Sequence, residues 1–206
     1  VGTQGKRKVR SFIIPHIPHD DVVLPEEVQG IRAFGSENQT EAIAGVMARK
    51  LETMRNKHAI TLEHLRMGAL KGQILDADGS VIYDLFTEFN VTQTAINFQL
   101  GTTTTKVKIK CNEVLRTIEK NLLGEVANGV RVLCSTQFFD ALTSHDNVEK
   151  AFAFYQQGAA LVNDTRSGFR FGGLVFEEYV GFATDAAGVI RKFIPDNEAL
   201  AFPEGT

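Results

Sequence analysis

Two histidines and two aspartates stand close together near the start of the chain, at His16, His19, Asp20 and Asp21. Imidazole and carboxylate groups are the usual ligands of zinc and manganese, and a metal held by them could activate water for hydrolysis. In an extended chain, however, His16 and His19 point to opposite sides, so both reach one ion only if the flanking prolines bend the backbone. We expect a structural or surface role and keep a metal-dependent hydrolase using His16, His19 and Asp20 as the alternative.

A second acidic group, Asp76 and Asp78 followed by Gly79, is similar to the opening of a calcium-binding EF-hand loop. That loop needs a glycine at its sixth position and a glutamate at its twelfth, where this chain has Val81 and Thr87. The spacing therefore excludes an EF-hand, and the two aspartates are predicted to form a turn.

The remaining candidates for catalysis lack partners at a useful spacing. Glu177 and Glu178 are adjacent, so a strand would direct them to opposite faces and not to one substrate. Ser135 lacks the flanking glycines of a nucleophile elbow. Cys111 and Cys134 have no histidine nearby in sequence and lie in apolar segments, where reduced thiols pack well. The residues alone indicate no enzyme and no cofactor.

Composition places the chain among globular proteins. It has 206 residues, 43% of them hydrophobic, which is enough for one domain or two small subdomains. A net charge of −3 argues against a dedicated nucleic-acid binder, and the short basic run Lys6, Arg7, Lys8 and Arg10 is predicted to be a solvated arm. Two cysteines, no long apolar segment and no signal segment lead us to expect a soluble protein in a reducing compartment.

The longest predicted element is a helix over about residues 41–72. Apolar or weakly polar side chains recur at spacings of three and four along one face, at Ile43, Met47, Leu51, Met54 and His58. The pattern predicts that this face is buried. An unbroken helix of this length would span about 45 Å, so we expect it to act as a strut.

The other elements follow from periodicity and turn residues. Residues 6–35 are predicted to form an extended hairpin or arm, because prolines break any helix there. We predict a β-hairpin over 73–89 with Leu85 and Phe86 in its second strand, a half-buried strand over 90–100, and a helix from 107 to 122. A central strand over 130–134, a helix capped by Ser135, a helix capped by Ser144, and strands over 169–179 and 189–194 complete the chain. Gly172 and Gly173 are assigned to a hairpin turn.

Five segments form a recognisable set: residues 15–18 (PHIP), 32–37 (RAFGSE), 61–72 (TLEHLRMGALKG), 74–79 (ILDADG), and 176–179 (FEEY) with Gly181. Together, and in this order over nearly the whole chain, they resemble the major capsid protein E family of lambda-like tailed phages. The resemblance implies an α+β shell subunit of the Hong Kong 97 type. It would place an extended loop at 1–36, a peripheral domain with the spine helix and a hairpin at 37–105, and an axial domain at 106–206.

The resemblance also implies a function. Such a subunit is a non-enzymatic major capsid protein that assembles with itself, as hexamers and pentamers, into the icosahedral shell around the DNA genome of a phage or prophage. Scaffold, portal and decoration proteins and non-specific contact with packaged DNA would be its further partners, without a membrane. It would be found in the virion and, during assembly, in the host cytoplasm.

Apolar and basic residues of the arm are the expected contacts between subunits: Arg7, Arg10, Phe12, Ile14 and Ile17. Because family members usually have an N-terminal arm before the position of Val1 and more chain after Thr206, we expect a fragment. An encapsulin-like shell, which shares this fold but encloses proteins, remains a further alternative.

Overall fold

The computed structural model describes residues 9–28, 43–155, 166, 168–185 and 188–205. The architecture is mixed α+β, as predicted, and the chain divides into two compact units, residues 1–62 and 63–206. The boundary lies within the first helix. The division into an extended loop, a peripheral domain and an axial domain stays a prediction.

The first unit contains the arm and most of the long helix. Residues 9–24 have no regular secondary structure and lead into a short 3₁₀ turn at Pro25–Glu27. The predicted helix is confirmed as α1, Ile43–Lys71, whose 29 residues give a length of about 43 Å. Residues 29–42, which include the start of the predicted helix, lie outside the described residues.

The prediction that the apolar stripe of α1 is buried is wrong for this chain. Ile43, Met47 and Leu51 are 60%, 49% and 56% exposed, His58 is exposed, and Met54 is half-buried. The buried position in this part of the helix is Val46, which lies beside the stripe. Helical periodicity shows that a face is apolar, but it does not show which molecule covers that face.

The predicted hairpin is confirmed as β1, Gln73–Leu75, paired antiparallel with β2, Val81–Asp84. Asp76 and Asp78 form its turn, as expected: the N–H of Gly79 donates to the Asp76 carbonyl at 3.0 Å, and the N–H of Ser80 donates to Asp78 Oδ1 at 2.8 Å. Gly79 has a φ of 87°, which suits glycine.

The hairpin ends earlier than predicted, because Asp84 begins a short helix. Its carboxylate accepts hydrogen bonds from the N–H groups of Phe86 and Thr87 and caps α2, Leu85–Phe89. Leu85 and Phe86 are therefore helical and not part of the second strand. The Phe86 ring lies directly against Gly72, which joins α1 to β1.

The strand predicted over residues 90–100 is also wrong. This segment pairs with no strand, although Phe98 is buried and both Ile96 and Leu100 pack against the same core. Ile96, Phe98 and Leu100 are therefore covered while the residues between them are exposed, as the alternation predicts, but the segment forms no ladder. Periodicity indicates which side chains face the core, but it does not determine whether the backbone of the segment pairs with another strand.

The rest of the second unit surrounds one four-stranded sheet. Its helices are α3 (Val107–Asn121), α4 (Thr136–Thr143) and α5 (Asp146–Tyr155), and its strands are β3 (Gly129–Cys134), β4 (Phe169–Phe171), β5 (Leu174–Glu178), β6 (Phe182–Thr184), β7 (Ile190–Lys192) and β8 (Ala199–Glu204). The sheet order is β4-β5-β3-β8, with β3 parallel to β5 and antiparallel to β8, while β6 and β7 form a separate hairpin.

The core lies between one face of this sheet and the three helices. Alternate residues of β3, from Val130 to Cys134, are buried against α3 and α4, as expected for a central strand. The predicted turn is confirmed at Gly172 and Gly173, whose φ angles of 60° and 86° fit a two-residue hairpin loop. A side chain at Gly172 would collide with Cys111 of α3, so the turn packs closely on that helix.

Two further features of this unit depart from prediction. Strand β8 was not predicted; Pro203 lies within it, opposite Val130, at the edge of the sheet where proline is tolerated. Ser135 caps α4 as predicted, but Ser144 lies at the C-terminal cap of that helix, and no hydrogen bond assigns it to α5. Among the helices that the structure describes, none is long and apolar enough to cross a membrane.

Candidate assembly surface

The arm exposes most of its large apolar side chains. Ile14 is 90% exposed, Val9 and Ile13 are similarly open to solvent, and Phe12 is about half exposed. Of the other predicted contacts, Arg10 is exposed, Ile17 is half-buried and Arg7 lies outside the described residues. Because soluble monomers rarely expose a run of apolar residues of this kind, the arm has the character of a binding surface.

Lys50 holds the arm against helix α1. Its ammonium group lies 3.3 Å from Asp21 Oδ1 and 2.9 Å from Glu27 Oε2, and it donates to the carbonyl of Val22. Lys50 and the N–H of Leu24 lower the pKa of Glu27, and the N–H of Val22 and Lys50 lower that of Asp21. Both carboxylates are therefore charged at neutral pH and keep the arm against the helix.

A second contact joins the arm to α1 at His19. Its ring meets His58 edge to face at a centroid distance of 4.5 Å, and its Nε2 lies 3.4 Å from Thr61 Oγ1. Because the Thr61 hydroxyl already donates to the Lys57 carbonyl, its oxygen is left to accept from His19. His19 is therefore placed as a docking residue of the arm.

These positions give no support to the metal-site alternative. His16 and Asp20 are exposed, while the His19 side chain contacts His58 and Thr61 of α1. Over the described ranges of the chain, no three His, Cys, Asp or Glu side chains come together in a way that could hold a metal ion.

The apolar stripe of α1 forms a second open surface in the same unit. Besides Ile43, Met47 and Leu51, Leu62 on the same side of α1 is about half exposed. The sequence identified most of this stripe correctly but assigned it to the core. Lys50, in contrast, was missed, because one lysine among the many charged residues of a long helix carries no distinguishing signal.

The carboxylates Glu177 and Glu178 of the second unit have structural partners. Arg131 on the central strand donates through Nη1 to Glu177 on β5 and through Nε to Glu204 on β8, both at 2.5 Å. Arg131 thus links three neighbouring strands. Glu178 is directed elsewhere and lies 3.9 Å from Arg166, so the two adjacent glutamates do not form an acid–base pair on one face.

The candidate nucleophiles are structural as well. Ser135 is buried and accepts the N–H of Phe138 as the cap of α4. Cys111 and Cys134 are fully buried free thiols, and burial raises the pKa of each to about 12. Since the thiolate is the reactive form, both are unreactive at neutral pH. His145 is buried and within hydrogen-bond distance of the Thr102 carbonyl at 3.1 Å.

The C-terminal end of α1 is anchored in the second unit. Glu63 accepts a hydrogen bond from the Tyr179 hydroxyl at 2.8 Å, and Lys71 donates to the Phe193 carbonyl at 3.0 Å. Met67 is buried together with Phe193 and Ile194. Three kinds of contact therefore fix this part of the helix within the second unit.

Comparison with known proteins identifies the family of this chain. The family model described as phage major capsid protein E matches residues 1–206. The major capsid protein of Pseudomonas phage KPP10 is 32% identical over 219 residues, which cover 98% of this chain and 62% of that protein. The major capsid protein of Salmonella phage Felix O1 (isolate Felix O1-VT1) is 30% identical over 211 residues, covering 93% of this chain and 57% of the relative. The chain thus spans less than two thirds of the length of either relative, and it belongs to the phage major capsid protein E family.

Proposed function

We propose that this chain is a structural subunit of the head shell of a tailed phage or prophage, which assembles by repeated contacts between copies. The observation that carries the proposal is that the first unit exposes two apolar surfaces, the arm and the stripe of α1. Exposed apolar area of this extent is unfavourable in water and is covered when copies associate. The role is structural and requires no catalytic step and no cofactor.

The arm supplies the first set of proposed contacts between subunits. Arg10, Phe12, Ile14 and Ile17, with Arg7 before them, would contact a neighbouring copy. The Lys50 clamp and the His19 contact hold residues 19–27 of the arm against α1, while Ile13 and Ile14, earlier in the arm, are exposed. An arm and a helix face are different surfaces, so contacts between them are heterologous and can continue from copy to copy around a closed shell.

We further propose that the fold is of the Hong Kong 97 type, with an extended loop over 1–36, a peripheral domain over 37–105 and an axial domain over 106–206. The long helix α1 followed by a hairpin, and the later sheet with helices on one face, support this assignment. In the complete shell the chain would be a virion component. Scaffold, portal and decoration proteins and the packaged DNA are proposed as further partners of the whole protein.

The proposal is tested by placing charge on the α1 stripe. We expect the double substitution Met47→Lys/Leu51→Lys, in the complete coding sequence that contains this chain, to prevent assembly, because two ammonium groups cannot be buried in an apolar contact. Sedimentation and electron microscopy of the expressed protein measure assembly, and circular dichroism checks that the helix content is unchanged.

The matched control is Glu52→Lys/Asn56→Lys. It places two lysines at exposed positions on the opposite side of the same helix and should leave assembly intact. Closed shells, sheets or six-membered rings from the unaltered protein support the proposal. A discrete small oligomer that never enlarges, or unimpaired assembly of the stripe variant, would contradict it.

A further inference from the structure

Charge is unevenly distributed along the first part of the second unit. Residues 73–105 contain four acidic side chains, Asp76, Asp78, Asp84 and Glu88, and no lysine or arginine. The next fifteen residues, 106–120, contain five basic side chains and two glutamates. Two consecutive segments of one unit therefore carry opposite charge.

The basic segment includes α3, which presents one face to solvent. Val107, Cys111 and Val114 bury the opposite face in the core. Ile109, Arg116 and Lys120 follow each other at spacings of seven and four and form a single stripe on the outside, which we call the α3 stripe. Ile109 is 55% exposed.

The basic charges of the α3 stripe have no partner in the part of the chain that the structure describes. Glu113 lies on the same face between Ile109 and Arg116, but it pairs with Lys110 at 3.0 Å. Among the described residues, in contrast, no ion pair or hydrogen bond involves the side chain of Arg116 or Lys120. A positively charged stripe with an exposed isoleucine at one end thus faces solvent.

The acidic segment presents a surface of complementary character. Val81, at the start of β2, is 54% exposed, and Asp78 and Glu88 are exposed near the two ends of the hairpin and α2 module. Hydrogen bonds from Ser80 lower the pKa of Asp78, which keeps it ionised. No basic side chain in the described ranges pairs with Glu88. We call Asp78, Val81 and Glu88 the hairpin surface.

We propose that the hairpin surface of one copy packs against the α3 stripe of a second copy. Val81 would lie against Ile109, and Glu88, on one side of Val81, would pair with Arg116 and Lys120, which both lie on one side of Ile109. This inference rests on the proposed function, since it presupposes that copies associate. It adds the identity of a second contact, separate from the arm and from the α1 stripe.

Charge complementarity is the reason for choosing a second copy as the partner. Complementary charge favours the correct pairing and speeds association, whereas two like surfaces repel. The two surfaces differ, so the contact is heterologous and repeats in one direction from copy to copy. A nucleic acid would use only the basic stripe and would leave the exposed Ile109 without an apolar partner.

A charge exchange tests the pairing in the complete coding sequence. We expect Arg116→Glu/Lys120→Glu and Glu88→Lys each to raise the protein concentration needed for assembly by about tenfold or more, because like charges then face each other. The variant that combines all three substitutions restores opposite charges and should assemble close to the original concentration. Lys150→Glu, at an exposed position of α5, is the control and should have no effect.

Cross-linking then tests the contact directly. One protein sample carries Val81→Cys and a second carries Ile109→Cys, and the two are mixed before assembly and treated with a short bis-maleimide. Because Cys111 and Cys134 are buried, the introduced thiols are the ones that react. A covalent dimer in the mixture, and not in either sample alone, is the expected result.

The outcomes separate this inference from the proposed function. If the unaltered protein does not assemble, the proposed function is contradicted. If it assembles and the single-surface reversals behave like the control, the hairpin contact is wrong while the proposed function stands. If only the α3 reversal impairs assembly, with DNA binding lost and no rescue by the combined variant, the stripe binds nucleic acid and the pairing is overturned.

Discussion

Gly72 occupies a position that no other residue can fill without cost. Its φ is 89°, and a Cβ atom there would lie 2.3 Å from the Phe86 ring. We expect Gly72→Ala to lower the free energy of unfolding by about 3 kcal/mol or more, from backbone strain of about 1–2 kcal/mol and overpacking of about 1–3 kcal/mol. Urea denaturation measures the loss.

Gly79 provides the matched control for this prediction. Its φ of 87° is almost the same, but a Cβ atom there would meet no other atom within 4 Å. Gly79→Ala should therefore show the backbone strain alone, about 1–2 kcal/mol. Equal losses for the two variants would mean that Phe86 moves aside freely.

The buried thiols make stability depend on pH. Burial raises the pKa of Cys111 and Cys134 to about 12, whereas a thiol in an unfolded chain ionises near 8.5. Between these values the unfolded state binds fewer protons than the folded state, so the free energy of unfolding falls as pH rises. The contribution is fully present below about pH 8.5 and declines by about 1.4 kcal/mol per pH unit for each thiol.

We therefore expect urea denaturation between pH 8.5 and 10 to show a downward slope that Cys111→Ala/Cys134→Ala largely removes. Each single substitution should remove about half of it. The slope is the measurement, since both substitutions also leave small cavities that lower stability at every pH. An unchanged slope in the double variant would show that other groups cause the alkaline destabilisation.

At the scale of elements, the docking of the arm depends on Lys50. We expect Lys50→Met to keep α1 intact but to release the arm, because Asp21 and Glu27 lose their shared cation. Limited proteolysis with proteinase K should then cleave within residues 9–28 faster than in the unaltered protein. Arg55→Met, on the same helix and outside this clamp, is the control and should be cleaved at the original rate.

The same clamp predicts a response to acid. Because the pKa values of Asp21 and Glu27 are lowered by docking, the folded state binds fewer protons than the released arm at these sites. Their contribution is present at neutral pH and is lost as pH falls through and below about 4. Proteinase K at neutral pH should cleave the arm of Lys50→Met faster than that of the unaltered protein, whereas pepsin at pH 3 should cleave both at the same rate, with α1 still helical.

Several elements of the second unit could be predicted because local signals determined them. α3 has its apolar residues at helical spacing, α4 has Ser135 as its cap, and β3 is a short apolar run between polar neighbours. The strand predicted over 90–100 failed because its alternation describes contact with the core and not pairing. β8 was missed because Pro203 is atypical of strands, and the pairing with β3 that stabilises it is distant in sequence.

At the scale of the whole molecule, the sequence identified the surfaces better than their partners. The apolar periodicity of α1 is correct, but in this chain the face is open, since periodicity is the same whether the covering atoms belong to one copy or to another. Lys50 and the Arg131 cluster could not be foreseen, because both depend on residues that are brought together only by folding. The candidate site is therefore a property of tertiary structure.

The clamp on the arm has a consequence for how the arm responds to its surroundings. Residues 21–27 of the arm are held by exposed ion pairs to Lys50, while residues 9–14 offer exposed apolar side chains. Dissolved salt screens exposed charges, and ions such as sulfate strengthen apolar contacts. Raising the ionic strength with sulfate thus loosens the arm from its own helix and favours its apolar contacts at the same time. The ionic medium biases the arm between its own helix and any apolar surface it meets.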